Sequence, residues 1–432
     1  MAQKVIDIVT LGCSKNLVDT ERVMKMFTDT GFKVHHNPDR YHGGTVIINT
    51  CGFIGDAKEE SINTILEAAE AKADGQVKEL CVMGCLSERY RNDLPAEIPE
   101  VDRWYGKFDW KDMVADLARK SPATVKYDRV VTTGPRNAYI KIAEGCNRFC
   151  AFCAIPIITG RFKSRPIEEI VTEVTDLTHR GISEFNIIAQ DLSSYGTDLY
   201  GEMRLAQLID RLADIKGVRW LRLHYAYPAQ FPYDVLEVMR RRDNVCKYLD
   251  IALQHISDTV LTNMRRHITG EETRELIKRI RCEVPGIHLR TTLMVGFPGE
   301  GEKEFEELLE FVRETRFERM GAFAYCEEDD TYAAKNFEDS IPEEVKQQRL
   351  SRLMELQEEI SLEIQQQKAG QEMEVVIDRE EDDFYVGRTQ FDSPEVDPEV
   401  LVRKTAVLKP GEYHKVKITE ALPFELIAEI AE

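Results

Sequence analysis

The sequence predicts an α/β protein of several domains: a parallel α/β domain first, a partial (β/α) barrel in the middle and a small antiparallel β-barrel last. Three observations support this prediction. The chain has 432 residues, which is too long for a single ordinary core. Strand and helix patterns alternate as far as residue 367, and a period-two pattern with turn signals then replaces them.

The first domain, residues 1–128, has the alternation expected of a Rossmann-like parallel sheet. The predicted strands are Val5–Leu11, Thr45–Ile48 and Glu79–Met83, and the helices between them are Leu17–Phe27 and Asp56–Ala73. A cysteine closely follows each strand: Cys13, Cys51 and Cys85. Because sites in parallel sheets form beyond the carboxyl ends of the strands, we expect these three thiols to converge.

The stretch Ala118–Arg136, with two prolines and little periodicity, predicts a linker. The central domain, residues 132–367, then contains six strand–helix units, which predict a partial (β/α)6 barrel of the TIM type with its chemistry at the carboxyl ends of the strands. The predicted strands are Ala138–Ala143, Glu184–Ala189, Val218–His224, Tyr248–Leu253, His288–Val295 and Gly321–Tyr325. A long polar helix, Pro342–Lys368, leads out of the barrel.

The last domain, residues 368–432, predicts a small antiparallel barrel similar to an OB-fold. From Ala369 to Glu432 it carries seven basic and sixteen acidic residues, a net charge of −9, within a chain of net charge −20. Such a surface repels a phosphate backbone and suits a basic protein partner. A solvated acidic surface that keeps the protein soluble explains the charge equally well.

Cysteine usage and the N-terminal sequence favour a cytoplasmic protein. Ten cysteines in a chain of this kind predict metal or redox chemistry rather than a disulfide framework. The segment Met1–Asp7 has no basic region followed by an apolar core, and no apolar run is long enough to span a bilayer. We therefore expect no membrane insertion.

One cysteine motif is specific in its spacing. Gly145–Cys153 contains Cys146, Cys150 and Cys153 in a C-x3-C-x2-C pattern immediately after the first barrel strand. Three thiolates on one loop can hold three irons of a [4Fe–4S] cluster and leave the fourth iron open to S-adenosylmethionine (SAM). With Phe152 before the last cysteine and the (β/α) series that follows, the motif resembles the radical SAM superfamily. The alternative is that these three cysteines lie in a hydrophobic core or bind zinc. Paired zinc sites, however, have a different spacing of cysteines.

The N-terminal cysteine segments, Leu11–Glu21, Asn49–Ile54 and Met83–Leu86, resemble the three motifs of the methylthiotransferases. The resemblance covers the whole chain, with the last domain corresponding to a TRAM domain. It implies a second [4Fe–4S] cluster held by Cys13, Cys51 and Cys85, with SAM as both methyl donor and radical source. We interpret the remaining cysteines as structural: Cys81, Cys246, Cys282 and Cys326.

Two branches of this family are candidates: one modifies an adenosine in transfer RNA, the other the β-carbon of an aspartate in a small-subunit ribosomal protein. The segments Lys15–Asp19 and Gly387–Asp397 resemble the ribosomal-protein branch. The resemblance implies a basic ribosomal protein as substrate, an electron donor such as flavodoxin or ferredoxin, and a sulfur donor. Direct nucleic-acid binding is not expected.

The resemblance also indicates where SAM would bind, at the ends of the barrel strands. No catalytic side chain is assigned beyond the cluster ligands, and each SAM candidate could equally be a structural turn or a satisfied polar residue. The candidates are Phe152, Gln190, Asp191, Gln254, Arg290, Thr292, Gly296 and Glu300. The turn Tyr325–Thr331 departs from the family pattern, since it has a cysteine in place of serine and acids in place of glycine.

Two functions of another class stay open from the residues alone. An iron–sulfur electron carrier or scaffold would also use open clusters, but it would release no 5′-deoxyadenosine from SAM. A zinc-stabilised binding module would be colourless and would contain no acid-labile sulfide.

Overall fold

The computed structural model describes residues 4–119 and 127–431. Residues 120–126, part of the predicted linker, lie outside the described residues. The same holds for residues 1–3 of the N-terminal segment Met1–Asp7. Within the described ranges, no helix combines the length and apolarity that a membrane crossing requires.

The first domain contains a five-stranded parallel sheet. Its strand order is β2-β1-β3-β4-β5, and helices lie between the strands along the chain. The elements are β1 Val5–Thr10, α1 Ser14–Asp29, β2 Lys33–His36, β3 Thr45–Thr50, α2 Gly55–Ala73, β4 Glu79–Gly84, α3 Cys85–Arg89, α4 Leu94–Glu97, β5 Arg103–Trp104 and α5 Trp110–Ala118. The predicted Rossmann-like domain is confirmed, with two short edge strands, β2 and β5, that the sequence patterns did not reveal.

The central domain contains six parallel strands in sequential order, from β6 at one edge to β13 at the other, and β7 and β8 form a separate two-stranded antiparallel sheet. No pairing between the two edge strands closes the six-stranded sheet within the described residues, so it is a partial barrel, as predicted. The elements are β6 Asn137–Lys141, β7 Ala143–Glu144, α6 Ile155–Thr159, β8 Lys163–Ser164, α7 Ile167–His179, β9 Glu184–Ile188, α8 Leu205–Ala213, β10 Trp220–Ala226, α9 Asp234–Arg241, β11 Val245–Gln254, α10 Asp258–Asn263, α11 Gly270–Glu283, β12 His288–Val295, α12 Glu302–Thr315, β13 Arg319–Ala324, α13 Tyr332–Asn336 and α14 Glu343–Gln366.

The two faces of the partial barrel differ in chemistry. Side chains alternate across each strand, and one set, including Ile140, Ile187 and Leu223, packs with the surrounding helices in the main hydrophobic core. The other set points inward and is largely polar, although it is buried: it includes Lys141, Glu184, Asn186, Arg222 and Asp250. Buried charges cost several kcal/mol each unless they are paired, so each of these side chains needs a partner, either inside the barrel or from a neighbouring domain.

The last domain is a closed five-stranded barrel with the order β14-β15-β16-β18-β17. Four of its strand pairs are antiparallel, as predicted, whereas β16 and β18 pair in parallel. The strands are β14 Glu372–Glu380, β15 Phe384–Arg388, β16 Glu399–Arg403, β17 Tyr413–Ala421 and β18 Glu425–Ile430.

The connection between β15 and β16 supplies partners for one end of the barrel interior. Its residues 388–397, here called the plug segment, contact the beginnings of several barrel strands. Arg388 donates two hydrogen bonds of 2.9 Å to Glu184, the first residue of β9. Asp392 accepts from Arg319 at 2.5 Å, and Asp397 accepts from the Tyr248 hydroxyl at 2.7 Å. The plug segment therefore closes the barrel at the amino ends of its strands.

The first domain pairs with the same interior near the other end. Asp19 of α1 is buried between Lys141 of β6 and Lys107, the latter at 2.9 Å. Val18 of the same helix packs against Tyr139 of the barrel. Helix α1 thus covers the first barrel strand and fixes the orientation of the cysteine that precedes it.

The turn before α13 makes a second contact with the first domain. Glu328 accepts from Lys58 at 2.8 Å and from Arg89 at 2.7 Å, and Asp329 accepts from the Tyr90 hydroxyl at 3.0 Å. These are the acids that depart from the family pattern in this turn. Their role in the structure is to dock the first domain.

The importance of the buried contact between the barrel and the last domain can be tested at Glu184, because this carboxylate pairs with both Arg222 and Arg388. Its pKa falls to about 2, since the two guanidinium groups outweigh the effect of burial. Its stabilising contribution is therefore present above the ordinary pKa of 4.5 and is lost as the pH falls towards 2. We expect Glu184→Gln to lower the free energy of unfolding at neutral pH by about 3–5 kcal/mol, measured by urea denaturation of the cluster-loaded protein.

The matched control is Glu374→Gln, which removes an exposed interdomain pair with Arg219. Exposed pairs contribute less than about 1 kcal/mol, so this variant should unfold almost as the wild type does. Equal losses in the two variants would contradict a special role for the buried pair.

Candidate active site

The three N-terminal cysteines lie where the parallel sheet predicts, beyond the carboxyl ends of β1, β3 and β4. Cys13 immediately precedes α1, Cys51 directly follows β3, and Cys85 is the first residue of α3. Burial, together with the nearby Cys13 thiolate, raises the pKa of Cys51 to about 11. Burial also raises the pKa of Cys85 to about 12, with both other thiolates contributing. The Asn16 side chain links the three segments, since it accepts from the Cys85 thiol at 3.4 Å and donates to the Thr50 carbonyl, just before Cys51, at 3.0 Å.

Two glycines permit this close approach. Gly12 has a φ of +84°, and a Cβ there would lie 2.8 Å from the Cys51 sulfur. Gly84 has a φ of +105°, and its Cβ would lie 2.4 Å from the side-chain oxygen of Asn49. Only glycine adopts these conformations without strain and leaves the space free. Each of these glycines directly precedes a cysteine, so the Gly-Cys pairs in the sequence have a steric reason.

Cys13 differs from its two neighbours in electrostatics. The Cys13 side chain is exposed, and although the protein atoms around it would raise the pKa of its thiol, the Lys15 ammonium and a backbone donor from Asn16 outweigh that effect and lower it. The Lys15 ammonium lies 3.2 Å from the centre of the Tyr225 ring, which belongs to the barrel. Lys15 therefore favours a thiolate at Cys13 and connects this thiol to the central domain.

The central cysteine loop follows the first barrel strand. The backbone N–H of Arg148 donates to the Cys146 sulfur at 3.4 Å, and the Arg266 guanidinium donates to the Cys150 sulfur at 3.2 Å. Burial raises the pKa of Cys146 to about 12, and it also raises the pKa of Cys153 with the neighbouring Cys150 thiolate. Buried thiols with N–H donors directed at the sulfur suit a metal cluster, which would replace their protons.

The two sets of cysteines face one region of the molecule. Cys85 packs against Ala154, which directly follows Cys153, and against Ile158 in the short helix α6. A cavity of about 570 Å³ lies between the first domain, the barrel and α14. Its lining includes Phe53 from the first domain and Phe152 and Met294 from the barrel. A ligand there would contact both domains.

Three of the predicted SAM residues carry buried oxygens that have no hydrogen-bond partner among the described residues. They are Gln190 Oε1, Asp191 Oδ1 and Gln254 Oε1. The other carboxylate oxygen of Asp191 accepts from Arg148 in the cysteine loop at 2.6 Å. Buried oxygens left without donors are expected where a ligand supplies the donor.

The other predicted SAM residues already have protein partners. Arg290 lies in the barrel interior, 3.2 Å from Asp250 and 3.5 Å from Asp397 of the plug segment. Thr292 is half-buried one pleat further along β12, and Gly296 packs against Lys346 of α14. Glu300 accepts from Arg349 at 2.8 Å and lies 3.2 Å from His255. All eight SAM contacts stay predictions.

Sequence patterns did not identify Arg266 and Tyr227. The Tyr227 hydroxyl lies 3.7 Å from the Cys150 sulfur and donates to the Arg266 carbonyl at 2.8 Å. Both residues are distant in sequence from the cysteine loop, and no motif marks them. The only indication of a role for Arg266 and Tyr227 in the sequence is general, namely that both residues follow or lie near the ends of predicted barrel strands.

The four cysteines predicted to be structural divide into two pairs. Cys81 and Cys246 are fully buried in hydrophobic clusters. Cys282 and Cys326 are exposed, so burial does not explain them. Cys326 lines the cavity between the domains.

A parallel partial barrel with a C-x3-C-x2-C loop at its mouth defines a radical SAM enzyme. Comparison with known families agrees: the Radical SAM superfamily model matches residues 140–312, that of the uncharacterized protein family UPF0004 matches residues 5–106, and that of the TRAM domain matches residues 369–431. The chain belongs to the RimO-type radical SAM methylthiotransferase family. Membership implies SAM and two [4Fe–4S] clusters as cofactors.

Similar proteins support this membership over the full length. The chain is 58% identical to a protein of Parabacteroides distasonis and 60% identical to one of Phocaeicola vulgatus, with 100% of each chain covered. A protein of Porphyromonas gingivalis is also 60% identical over 434 residues. Each is named as the ribosomal protein uS12 methylthiotransferase RimO.

Among solved structures, the radical SAM methyltransferase TsrM from Kitasatospora setae, determined with cobalamin and a [4Fe–4S] cluster, has a similar fold. Its TM-score is 0.55 at 14% identity, with 74% of this chain and 75% of that chain covered. At this identity, the similarity concerns the fold alone.

The two cysteine sets should be separable by mutation. We expect Cys150→Ala to lose about half of the iron and to abolish 5′-deoxyadenosine formation from SAM. Cys51→Ala should also lose about half of the iron, but it should still form 5′-deoxyadenosine. Iron analysis and chromatography of the SAM products measure both outcomes, and Cys246→Ala, at a buried thiol far from both loops in sequence, is the control. Methylthio transfer by either site variant would contradict the two-cluster assignment.

Proposed function

We propose that this chain adds a methylthio group to the β-carbon of an aspartate in ribosomal protein uS12. The observation that carries the proposal is the contact between the two three-cysteine sets, in which Cys85 of the first domain packs against Ala154 and Ile158, just after Cys153 of the barrel loop. The full-length relatives, named uS12 methylthiotransferases, support the choice of substrate. The matching domains are proposed to be residues 1–128 for the second cluster, 132–367 for the radical SAM core and 368–432 for TRAM.

The residues of this chain have distinct proposed tasks. When bound, the clusters and SAM supply a radical that removes a substrate hydrogen and a methylated sulfur that replaces it. Cys146, Cys150 and Cys153 hold the cluster at the barrel mouth, and Arg266 stabilises the Cys150 thiolate through its 3.2 Å hydrogen bond. Cys13, Cys51 and Cys85 hold the second cluster.

SAM is proposed to lie across the barrel mouth. The unpartnered oxygens of Asp191, Gln190 and Gln254 offer acceptors for its ammonium and hydroxyl groups. Phe152 and Met294 give the adjoining cavity apolar walls, which exclude water from the reacting carbon.

Charge supports a basic protein substrate. The β14–β15 hairpin exposes four consecutive acids, residues 380–383, on a domain of net charge −9. Such a surface attracts basic chains and repels RNA phosphates. An electron donor such as flavodoxin or ferredoxin, a sulfur donor and a cytoplasmic location complete the proposal.

The test is an anaerobic reaction of cluster-loaded protein with SAM, a reductant and sulfide, followed by mass spectrometry. Two substrates run in parallel: a uS12 loop peptide that contains aspartate, and unmodified transfer RNA. We expect a methylthio mass gain on the peptide alone, and none on a peptide with that aspartate replaced by asparagine. A gain on the RNA alone would overturn the substrate assignment while leaving the fold and clusters in place.

A further inference from the structure

A group of three possible metal ligands lies in the first domain, apart from both cysteine sets. The group consists of Asp7, His35 and His42, and one ligand atom of each lies within 4.8 Å of the others. His35 Nδ1 is 2.8 Å and His42 Nδ1 is 2.9 Å from the same Asp7 oxygen, Oδ1. The two imidazole rings also face each other, with their centres 3.8 Å apart.

The sheet brings these residues together from three segments of the chain. Asp7 of β1 and His35 of β2 are direct partners in the parallel register, so their side chains leave the same face. His42 belongs to the connection that returns from β2 to β3. Its backbone N–H donates to the second Asp7 oxygen, Oδ2, at 2.7 Å, and this bond holds the carboxylate in a fixed orientation.

The charges around the group favour a cation. The Asp7 side chain is 0% exposed, and within the described residues its ion-pair partners are His35 and His42, with no lysine or arginine. A buried carboxylate without a lysine or arginine partner needs compensation from another cation.

Hydrogen bonding alone could also explain the group, since one carboxylate oxygen can accept from two imidazoles that carry a proton on Nδ1. The group has further features that two hydrogen bonds to one carboxylate oxygen do not require. Two imidazole nitrogens and a carboxylate oxygen converge on one point, the second carboxylate oxygen has a backbone donor, and the His42 side chain is 36% exposed. These are the donor types, the supporting hydrogen bond and the access that a zinc-like ion requires.

We propose that Asp7, His35 and His42 form a binding site for one divalent transition-metal ion such as Zn²⁺. Nδ1 of each histidine and Oδ1 of Asp7 provide three ligands, and water completes a tetrahedral set. The imidazoles bind the metal in their neutral form. The ion would hold the connection of residues 37–44 against the edge of the sheet, at the beginning of the strand that leads to Cys13.

The test uses full-length protein that carries both clusters. The protein is incubated anaerobically with Zn²⁺ and desalted, and zinc and iron are then counted in the same sample. X-ray absorption at the zinc edge identifies the donors, which separates this site from zinc at vacant cysteines. We expect about one zinc per chain, with nitrogen and oxygen neighbours at about 2.0–2.1 Å and no sulfur at about 2.3 Å.

His42→Gln and His35→Gln should each weaken zinc binding by about 100-fold or more, which exceeds the usual loss for a residue outside the coordination sphere. The matched control is His36→Gln, on the same strand as His35, whose Nε2 contacts the Thr10 hydroxyl at 3.0 Å instead of Asp7. It should bind zinc as the wild type does. Unchanged iron content shows that the variants are folded.

Two results would overturn the proposal. One is a wild-type protein whose bound zinc has only sulfur neighbours, or which binds none. The other is nitrogen-bound zinc that survives both His42→Gln and His35→Gln. The wild-type absorption spectrum decides the question even where a variant folds poorly.

Discussion

An open six-stranded barrel with a charged interior needs a partner for each of its buried charges, and the rest of the structure follows from that constraint. Lys141, Glu184, Arg222, Asp250 and Arg290 point inward and are largely removed from water. Removing one partner of such a pair leaves an uncompensated buried charge and costs several kcal/mol. The barrel provides some partners itself, as in Glu184–Arg222 and Asp250–Arg290. The two flanking domains add the others through Asp19, Arg388 and Asp392, so contacts between charged side chains hold the three domains together.

The plug segment and helix α1 contact opposite ends of the barrel interior. The plug segment pairs with Glu184, Tyr248 and Arg319 where the strands begin. Helix α1 pairs with Lys141 through Asp19, closer to the ends at which the cysteine loop and SAM would lie. Because α1 begins directly after Cys13, the same ion pair that stabilises the barrel interior also positions a ligand of the second cluster. Stability and active-site geometry thus depend on one set of contacts.

Sequence patterns predicted the three domains, the order of the main strands and both cysteine sets, because hydrophobic periodicity and local motifs carry that information. They could not predict which charges would meet across domains. Gly387–Asp397 was recognised as a family motif, yet its position in the barrel depends on residues such as Glu184, some 200 positions away. For the same reason, the Arg266 contact with Cys150 and the group of Asp7, His35 and His42 became visible only in the folded chain.

The contacts between the domains bring the two cysteine sets next to each other, and electron paramagnetic resonance of the fully reduced, cluster-loaded protein tests this most directly. Clusters that face each other across the Cys85 and Ile158 contact should interact magnetically. The account predicts a wild-type spectrum, with spin coupling, that differs from the sum of the spectra of Cys51→Ala and Cys150→Ala. A wild-type spectrum equal to that sum would contradict the placement of the two clusters on either side of this contact.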